Sequence, residues 1–273
     1  MSQPPFSQQI KRLEEAVGVT LFERTTRSVR LTPAGEVMYQ HARRVAGMTS
    51  NMLRATKQAA RGEGGTLVVG FAPTAAYSPL VAALHRYRGI YPEVELDLRE
   101  MNSNVMESQL RSHLIDVAVM RPLPTTADIE TVEVFREPMV LALRQDHELA
   151  GARRLSLDQV AELPIIGYSQ TASPYFRNLV NSMFVPLRKR PRIVQDSVIP
   201  TVLTLVEIGI GVALVPRTLM QMKSAELSYL PVLDRSNTSS SLVVACLRDR
   251  PNAAVDGFIA AMRESDRQRK APR

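Results

Sequence analysis

The chain has 273 residues, of which 45% are hydrophobic and 22% are charged, a composition typical of a globular protein with two or three domains. Its longest apolar stretch, VLTLVEIGIGVALVP, is interrupted by Glu207 and is too short to span a bilayer. The N-terminus lacks a signal-peptide pattern, and the single cysteine, Cys246, excludes an intramolecular disulfide. We therefore expect a cytoplasmic protein with no membrane partner.

The excess positive charge lies almost entirely in the first fifth of the chain. Residues 1–61 contain ten Lys and Arg residues against four Glu residues, whereas the remainder contains 24 basic and 23 acidic residues. This distribution predicts a small basic module attached to a near-neutral domain. A basic face that is merely solvated would give the same count, so charge alone leaves nucleic-acid binding open.

The first predicted elements are a helix and a short hairpin. Residues 2–17 form a helix that Gly18 ends, and its apolar face carries Phe6, Ile10 and Leu13. We expect these three side chains to belong to the core of a small domain. The stretch VTLFERTTRSVRLT then alternates as two strands with three arginines along their edge, Arg24, Arg27 and Arg30. A helix followed by a basic hairpin is the second half of a winged helix-turn-helix, whose recognition helix enters the major groove.

A long helix follows, from a Thr32 cap to about Arg61. Two rows of residues recur every seven positions on one face of it, Met38, Val45, Met52 and Ala59 in the first row and Ala34, His41, Met48 and Ala55 in the second. This seam predicts a dimerising coiled coil, although a helix buried on a protein surface would show similar spacing. The glycine-rich RGEGG then breaks the helix and indicates a hinge.

From Thr66 onward the sequence alternates between strands and helices. TLVVGF, VELDLRE and IDVAVM predict three strands separated by helices, and this order predicts a parallel sheet with right-handed crossovers. A second set has the strands MVLALR, PIIGYS, RIVQDS and GVALVP, again with helices between them. The terminal strand SLVVACLRD and helix NAAVDGFIAAMRE are expected to return to the first unit.

The stretch SQPPFSQQIKRLEEAVGVTLFERTTRSVRLTPAGE resembles the DNA-binding signature of LysR-type transcriptional regulators, and much of the remaining chain follows the same plan. The resemblance implies an α/β protein with a partial winged helix-turn-helix (1–31), a dimerising linker helix (32–61), a hinge (62–65) and a two-lobed, periplasmic-binding-protein-like effector domain (66–273). Lobe I would comprise about 66–136 plus 243–273, and lobe II about 137–242. The implied partners are promoter DNA, a small effector and further copies of the chain in a dimer or tetramer, and the resemblance also allows RNA polymerase.

The resemblance also implies which residues contact DNA. Contacts to base edges and backbone fall on Gln3, Pro4, Pro5, Ser7 and Gln8, and phosphate contacts on Lys11, Arg12 and the wing residues Arg24, Arg27 and Arg30. A complete helix-turn-helix has two helices before the recognition helix, so roughly 25–30 residues of the pattern are missing. We expect Met1 to occupy an internal position of a longer reading frame. The alternative function is a ligand-binding module of the same fold that does not bind DNA alone.

Candidate ligand-binding residues lie in three loops of lobe I. Ligands of open α/β sheets bind beyond the carboxyl ends of the strands, where helix N-termini direct N–H groups at anions. The loops GFAPTAAYSP, REMNSNVM and VMRP supply Thr74, Ser103, Asn104 and Arg121. The Arg121 guanidinium can grip a carboxylate with two N–H groups. Ser103 and Asn104 are as well explained as simple helix caps.

The family resemblance adds a second set of ligand contacts from lobe II, Tyr168, Ser169, Ser197 and Pro200. The chain looks most similar to the branch that controls degradation of aromatic compounds. That similarity implies an anionic effector, a small aromatic or unsaturated carboxylate.

The sequence offers little support for an enzyme. The four histidines, at positions 41, 85, 113 and 147, lack metal-ligand spacing. A G-x-S-x-G elbow, a P-loop and a Rossmann glycine fingerprint are all missing. Cys246 lies in an apolar strand, where a buried, unreactive thiol is usual. We therefore expect no catalysis, no metal and no cofactor.

Overall fold

The computed structural model describes residues 3–24, 28–61, 64–222, 224–234, 238–249 and 252–270. Its helices are α1 (Gln3–Val17), α2 (Pro33–Arg61), α3 (Leu80–Ile90), α4 (Ser103–Arg111), α5 (Leu157–Ala161), α6 (Pro174–Phe184), α7 (Thr201–Glu207) and α8 (Ala253–Lys270). Its strands are β1 (Phe22–Arg24), β2 (Val29–Leu31), β3 (Thr66–Phe71), β4 (Glu95–Glu100), β5 (Val117–Met120), β6 (Ile129–Arg144), β7 (Leu155–Ser156), β8 (Pro164–Tyr168), β9 (Arg192–Ser197), β10 (Ala213–Pro216), β11 (Leu227–Leu233) and β12 (Ser239–Leu247). Within these ranges, no helix combines the length and the apolar character that crossing a membrane requires.

The N-terminal module is held together by hydrogen bonds around one buried side chain. The Glu14 carboxylate accepts the N–H groups of Leu21 at 2.7 Å and Phe22 at 3.0 Å, which ties the β1–β2 hairpin to α1. These two hydrogen bonds lower the pKa of Glu14, and the bond from Leu21 has the larger effect. Leu21 is 2% exposed. Gly35 of α2 passes so close that a Cβ on it would lie 2.0 Å from the Leu21 carbonyl oxygen.

The predicted core of this module is wrong for the described chain. Phe6 is 60% exposed and Leu13 is 39% exposed, while Ile10 is half-buried. Their spacing on one helical face is as predicted, but no residue in the described ranges covers that face. The periodicity therefore predicted correctly which face of α1 is apolar, but it does not predict whether another element packs on that face.

The linker helix α2 has 29 residues and an exposed apolar stripe. The Thr32 hydroxyl accepts the Gly35 N–H at 2.9 Å, which confirms the predicted cap. Val45, Met48 and Met52 of the heptad rows are 58–63% exposed. The side chains of Ala55 and Ala59 and part of the predicted hinge, residues 62 and 63, lie outside the described residues.

Lobe I is built on the sheet order β4-β3-β5-β12-β6. Strand β3 is parallel to β4 and β5, as predicted, and the late strand β12 is antiparallel to both β5 and β6. Buried side chains alternate along β3, so that Leu67 packs in one cluster with Tyr87 of α3 and Phe258 of α8, whereas Val68 packs in another with Met106 of α4. Helices therefore cover both faces, as expected for a parallel sheet.

Lobe II continues the same sheet through β6. Strands β10 and β11 pair antiparallel with β6, and the parallel pair β8–β9 adjoins β10 through a bridge between Ile165 and Val212. The predicted capping box of Ser156 and Gln159 is confirmed at the start of α5. Strand β6 has 16 residues, against the six predicted as MVLALR, and crosses from one lobe to the other. Strand β12 pairs with β6 along its length and has a bulge between Leu242 and Val243.

Candidate functional site

The predicted ligand loops of lobe I meet at one small cavity between the lobes. Its volume is about 160 Å³. Lobe I contributes Ala72, Pro73, Thr74, Asn102, Ser103, Asn104, Arg121 and Leu123, and the facing lobe contributes Ala172, Ser173, Pro174, Tyr175, Phe176, Val198 and Ile199. The four lobe I residues predicted as ligand contacts are therefore brought together. The cavity lies beyond the carboxyl ends of β3, β4 and β5, where an open α/β sheet is expected to bind ligands.

Two helices from opposite lobes begin at this cavity. The N-cap residue of α4 is Asn102 and that of α6 is Ser173, and neither side chain caps its helix. Ser103 and Asn104 are not caps either, because the Ser103 hydroxyl accepts the Arg121 N–H at 3.0 Å and the Asn104 amide donates to the Thr171 carbonyl at 3.1 Å. The first-turn N–H groups of both helices thus make this a favourable place for negative charge.

The Arg121 guanidinium is already engaged within the protein. It is 3% exposed and donates to the Thr74 hydroxyl at 3.0 and 3.2 Å, to the Ser240 hydroxyl at 2.7 Å and to the Ser241 carbonyl at 3.0 Å. Its central carbon lies 4.9 Å from the Phe176 ring centre. Because four of its five N–H groups already donate within the protein, the guanidinium lacks the two free donors that the predicted two-point grip on a ligand carboxylate needs.

Glu137 balances this cation from strand β6. One carboxylate oxygen lies 3.8 Å from the Arg121 guanidinium, and the carboxylate accepts the Thr218 N–H at 2.6 Å and hydroxyl at 3.1 Å. Burial raises the pKa of Glu137, and burial lowers that of Arg121. The network runs from Thr74 in lobe I through Arg121 and Glu137 to Thr218 in lobe II, so it links the two lobes beside the cavity that Arg121 lines.

The four ligand contacts predicted for lobe II are placed elsewhere. Tyr168 is 1% exposed and donates its hydroxyl to the Leu214 carbonyl at 2.8 Å. The Ser169 hydroxyl accepts the Ala172 N–H at 3.2 Å, and the Ser197 carbonyl accepts the Ser169 N–H at 2.9 Å. Pro200 borders a separate depression with Thr204 and Glu207. None of the four is among the residues that line the described cavity.

The lobe II residues that line the cavity are close neighbours of the predicted ones: Ala172 to Phe176 follow Tyr168 and Ser169, and Val198 and Ile199 lie between Ser197 and Pro200. A turn over 169–173 separates β8 from α6 and brings Ser173, Pro174 and Phe176 to the cavity wall. The Ser173–Pro174 pair is a recognisable helix start, and it is the signal that could have identified this wall. Ser240, Glu137 and Thr218 carried no comparable signal.

The predicted DNA-contact residues lie on α1 and the hairpin. Ser7, Gln8, Lys11 and Arg12 are exposed on α1, and Arg24 and Arg30 are exposed on adjacent strands of the hairpin. The side chains of Gln3, Pro4 and Pro5, and the whole of Arg27, lie outside the described residues. Lys11 pairs with Glu15 at 3.9 Å, both largely exposed. Across the described part of the chain, no group of His, Cys, Asp and Glu residues is arranged to hold a metal.

Two family profiles match the chain. Residues 60–267 match the LysR substrate binding domain, and residues 1–36 match the bacterial regulatory helix-turn-helix protein, lysR family. The HTH-type transcriptional regulator AlsR of Bacillus subtilis is 34% identical over 262 residues, which span 95% of this chain and 86% of AlsR.

Two solved structures share the fold. Full-length CbnR complexed with its target DNA has a TM-score of 0.78 at 22% identity, covering 97% of this chain and 91% of that one. The BenM effector binding domain with its effector benzoate has a TM-score of 0.70 at 21% identity, covering 77% of this chain and 96% of that one. With both profiles matched in the expected order, the chain belongs to the LysR family of DNA-binding transcriptional regulators with an effector-binding domain.

Proposed function

We propose that this chain binds promoter DNA as an oligomer and that a small aromatic or unsaturated carboxylate in the interlobe cavity changes this binding. The observation that carries the ligand class is the pair of helix N-termini, those of α4 and α6, that meet one small cavity from opposite lobes. Ligand and DNA would each favour one arrangement of the assembly, so each would shift the affinity for the other.

The chemistry of the cavity supports a carboxylate with an apolar body. Backbone N–H groups at the starts of α4 and α6 can bind the carboxylate without help from the guanidinium of Arg121. Leu123, Tyr175, Phe176 and Ile199 line the cavity with apolar surface, against which a ring or conjugated chain would pack. BenM, whose effector domain shares this fold, has benzoate as its effector. A volume of about 160 Å³ favours a compact acid.

The DNA and oligomer parts of the proposal rest on exposed surface. Lys11, Arg12, Arg24 and Arg30 are exposed, and their positive charges would neutralise DNA phosphates. The α2 seam, with Val45 exposed among its members, would pair with the same seam of a second copy. Two DNA-binding modules would then be held at a set spacing.

The ligand part is tested by filling the cavity. Ala172 lines it, whereas Ala82 is exposed on α3, so the variants Ala172→Phe and Ala82→Phe form a matched pair. We expect isothermal titration of the full chain with benzoate to show binding in the parent and in Ala82→Phe, and no binding in Ala172→Phe. Equal binding by both variants would place the ligand elsewhere.

A second candidate function is ligand binding without DNA binding, and the exposed apolar face of α1 favours it. A short helix gains most of its stability from packing of its apolar face, so α1 with that face largely exposed would hold a DNA-reading surface less firmly. A gel shift on the DNA upstream of its own gene, repeated at several salt concentrations, separates the two functions. Salt-sensitive retardation supports the regulator, and titrated benzoate binding without any retardation supports the ligand-binding module.

A further inference from the structure

The linker helix α2 is seated on lobe I through a close backbone contact. Gly47 is buried, and a Cβ on it would lie 1.7 Å from the Ser112 carbonyl oxygen, a distance that no side chain tolerates. One turn further along α2, the Asn51 side-chain amide donates to the His113 carbonyl at 2.7 Å. His113 has a φ of 53°, in the left-handed region. Glycine and asparagine at positions 47 and 51 thus fit two successive carbonyl groups of lobe I.

Those two carbonyls directly follow helix α4. The first residues of α4, Ser103 and Asn104, line the interlobe cavity, and Ser112 and His113 follow its last residue. The nine residues of α4 span about 14 Å at the usual helical rise. One end of this helix therefore meets the ligand cavity, and the other end meets the helix that leads to the DNA-binding module.

Helix α4 is fixed along its length to lobe I. Met106 is fully buried and Leu110 is 1% exposed, in the cluster that contains Val68 and Ala118 of the sheet. Packed interiors of this kind move as units and do not deform locally. At the cavity end, Asn104 also makes the bond to Thr171 of lobe II, so α4 is packed into lobe I and hydrogen-bonded to lobe II at the cavity.

We propose that α4 is the coupling element of the protein, and that its seat against Gly47 and Asn51 transmits ligand binding to the linker helix. The inference rests on the proposed function, because it names how ligand in that cavity would act on DNA. A ligand carboxylate at the start of α4 competes with the Asn104–Thr171 bond and resets α4 relative to lobe II. Gly47 and the Ser112 carbonyl are in close contact, so a shift of α4 also moves α2. Movement of α2 in turn changes the spacing of the DNA-binding modules.

The first test needs neither ligand nor DNA. Gly47→Ala forces α2 off lobe I, and Asn51→Ala removes the hydrogen bond without a clash. Gly89 in α3 has open space where its Cβ would lie, and Ser50 is exposed on α2, so Gly89→Ala and Ser50→Ala are the matched controls. In the full chain we expect amide hydrogen exchange in α4 to accelerate by about fivefold or more in Gly47→Ala, less in Asn51→Ala, and not in the controls. Unchanged exchange in both joint variants would overturn the proposal.

The second test measures coupling directly, with benzoate as the probe. In the parent, benzoate should change the dissociation constant for the DNA upstream of the gene by about fivefold or more. In Gly47→Ala and Asn51→Ala this factor should fall towards one, while the benzoate dissociation constant from titration remains that of the parent. A parent-like factor in both variants overturns the proposal. Absence of benzoate binding in the parent refutes the ligand class of the proposed function, and the exchange result still decides the role of α4.

Discussion

The effector domain buries most of its apolar side chains, whereas the N-terminal segment leaves most of its described ones exposed. Among the described residues, Leu21 is the one buried apolar side chain of 3–61, whereas every hydrophobic cluster lies between Leu67 and Met262. Of the 22 large apolar residues that are exposed in the described part of the chain, eleven nevertheless fall within the first 53 positions. The effector domain thus carries its own core, while the described part of the N-terminal segment presents an exposed apolar surface of the kind that marks interaction sites.

The sharpest test of this contrast replaces one phenylalanine with alanine in each region. Phe258 is fully buried in lobe I, and Phe6 is 60% exposed on α1. Phe258→Ala should lower the free energy of unfolding by about 3–5 kcal/mol because it opens a cavity. Phe6→Ala should change it by less than about 0.5 kcal/mol. Urea denaturation of the full chain measures both, and a similar loss in the two variants would mean that the α1 face is covered in solution.

Removing the buried cation should come next in size. Arg121→Met leaves the Glu137 carboxylate buried without its charge partner and the Ser240 hydroxyl without its donor. We expect a loss of about 3 kcal/mol in the free energy of unfolding. Arg86→Met, at an exposed position on α3, is the control and should be near neutral. If Arg121→Met retained parental stability but lost benzoate binding, the guanidinium would be a ligand contact after all.

The apolar stripe of α2 should respond through assembly and not through folding. Met52→Lys places a charge in the exposed seam, and Ser50→Lys places the same charge on an exposed position outside it. We expect Met52→Lys to weaken self-association by about 2 kcal/mol, or roughly 30-fold, because an unpaired ammonium would be buried between helices. Sedimentation equilibrium checks this. Equal association constants for the two variants would remove the seam from the interface.

The smallest effect is expected at the DNA-binding surface. Arg30 is exposed on β2, and Arg30→Ala should reduce the slope of log affinity against log salt by about one. Arg86→Ala, remote from α1 and the hairpin, should leave the slope unchanged. Fluorescence anisotropy with the DNA upstream of the gene gives both slopes. A parental slope in Arg30→Ala would show that this arginine contacts no phosphate.

Local patterns were sufficient for most of the individual elements of the effector domain. TLVVGF is strand β3 with the predicted limits, and Ser156 with Gln159 is a capping box. Strands β7 and β11 were not predicted, and β6 was predicted only over its last six residues. The first half of β6 has charged residues among its apolar ones as it leaves one lobe, and Pro231 argues against a strand in β11, where it nonetheless pairs with Val140.

The candidate site was half visible in the sequence. The rule that ligands bind beyond strand ends located Thr74, Ser103 and Asn104, because lobe I is a regular parallel sheet. The hydrogen bonds of Arg121 could not be predicted from the sequence, since its partner Ser240 lies 119 positions away along the chain. On α1 the limit was different: spacing locates the face that carries Phe6 and says nothing of its partner.

The position of β12 also determines how late in synthesis the lobe I sheet can be completed. Strand β12 lies between β5 and β6 in the sheet and carries Ser240 and Ser241, to which Arg121 donates. A chain emerges from the ribosome N-terminus first. The basic module and linker helix are therefore synthesised well before lobe I can close its sheet. A chain that terminates before residue 239 would keep the predicted DNA-contact residues and lose the Ser240 and Ser241 partners of Arg121, so the surroundings of this buried cation are completed only after most of the chain has been synthesised.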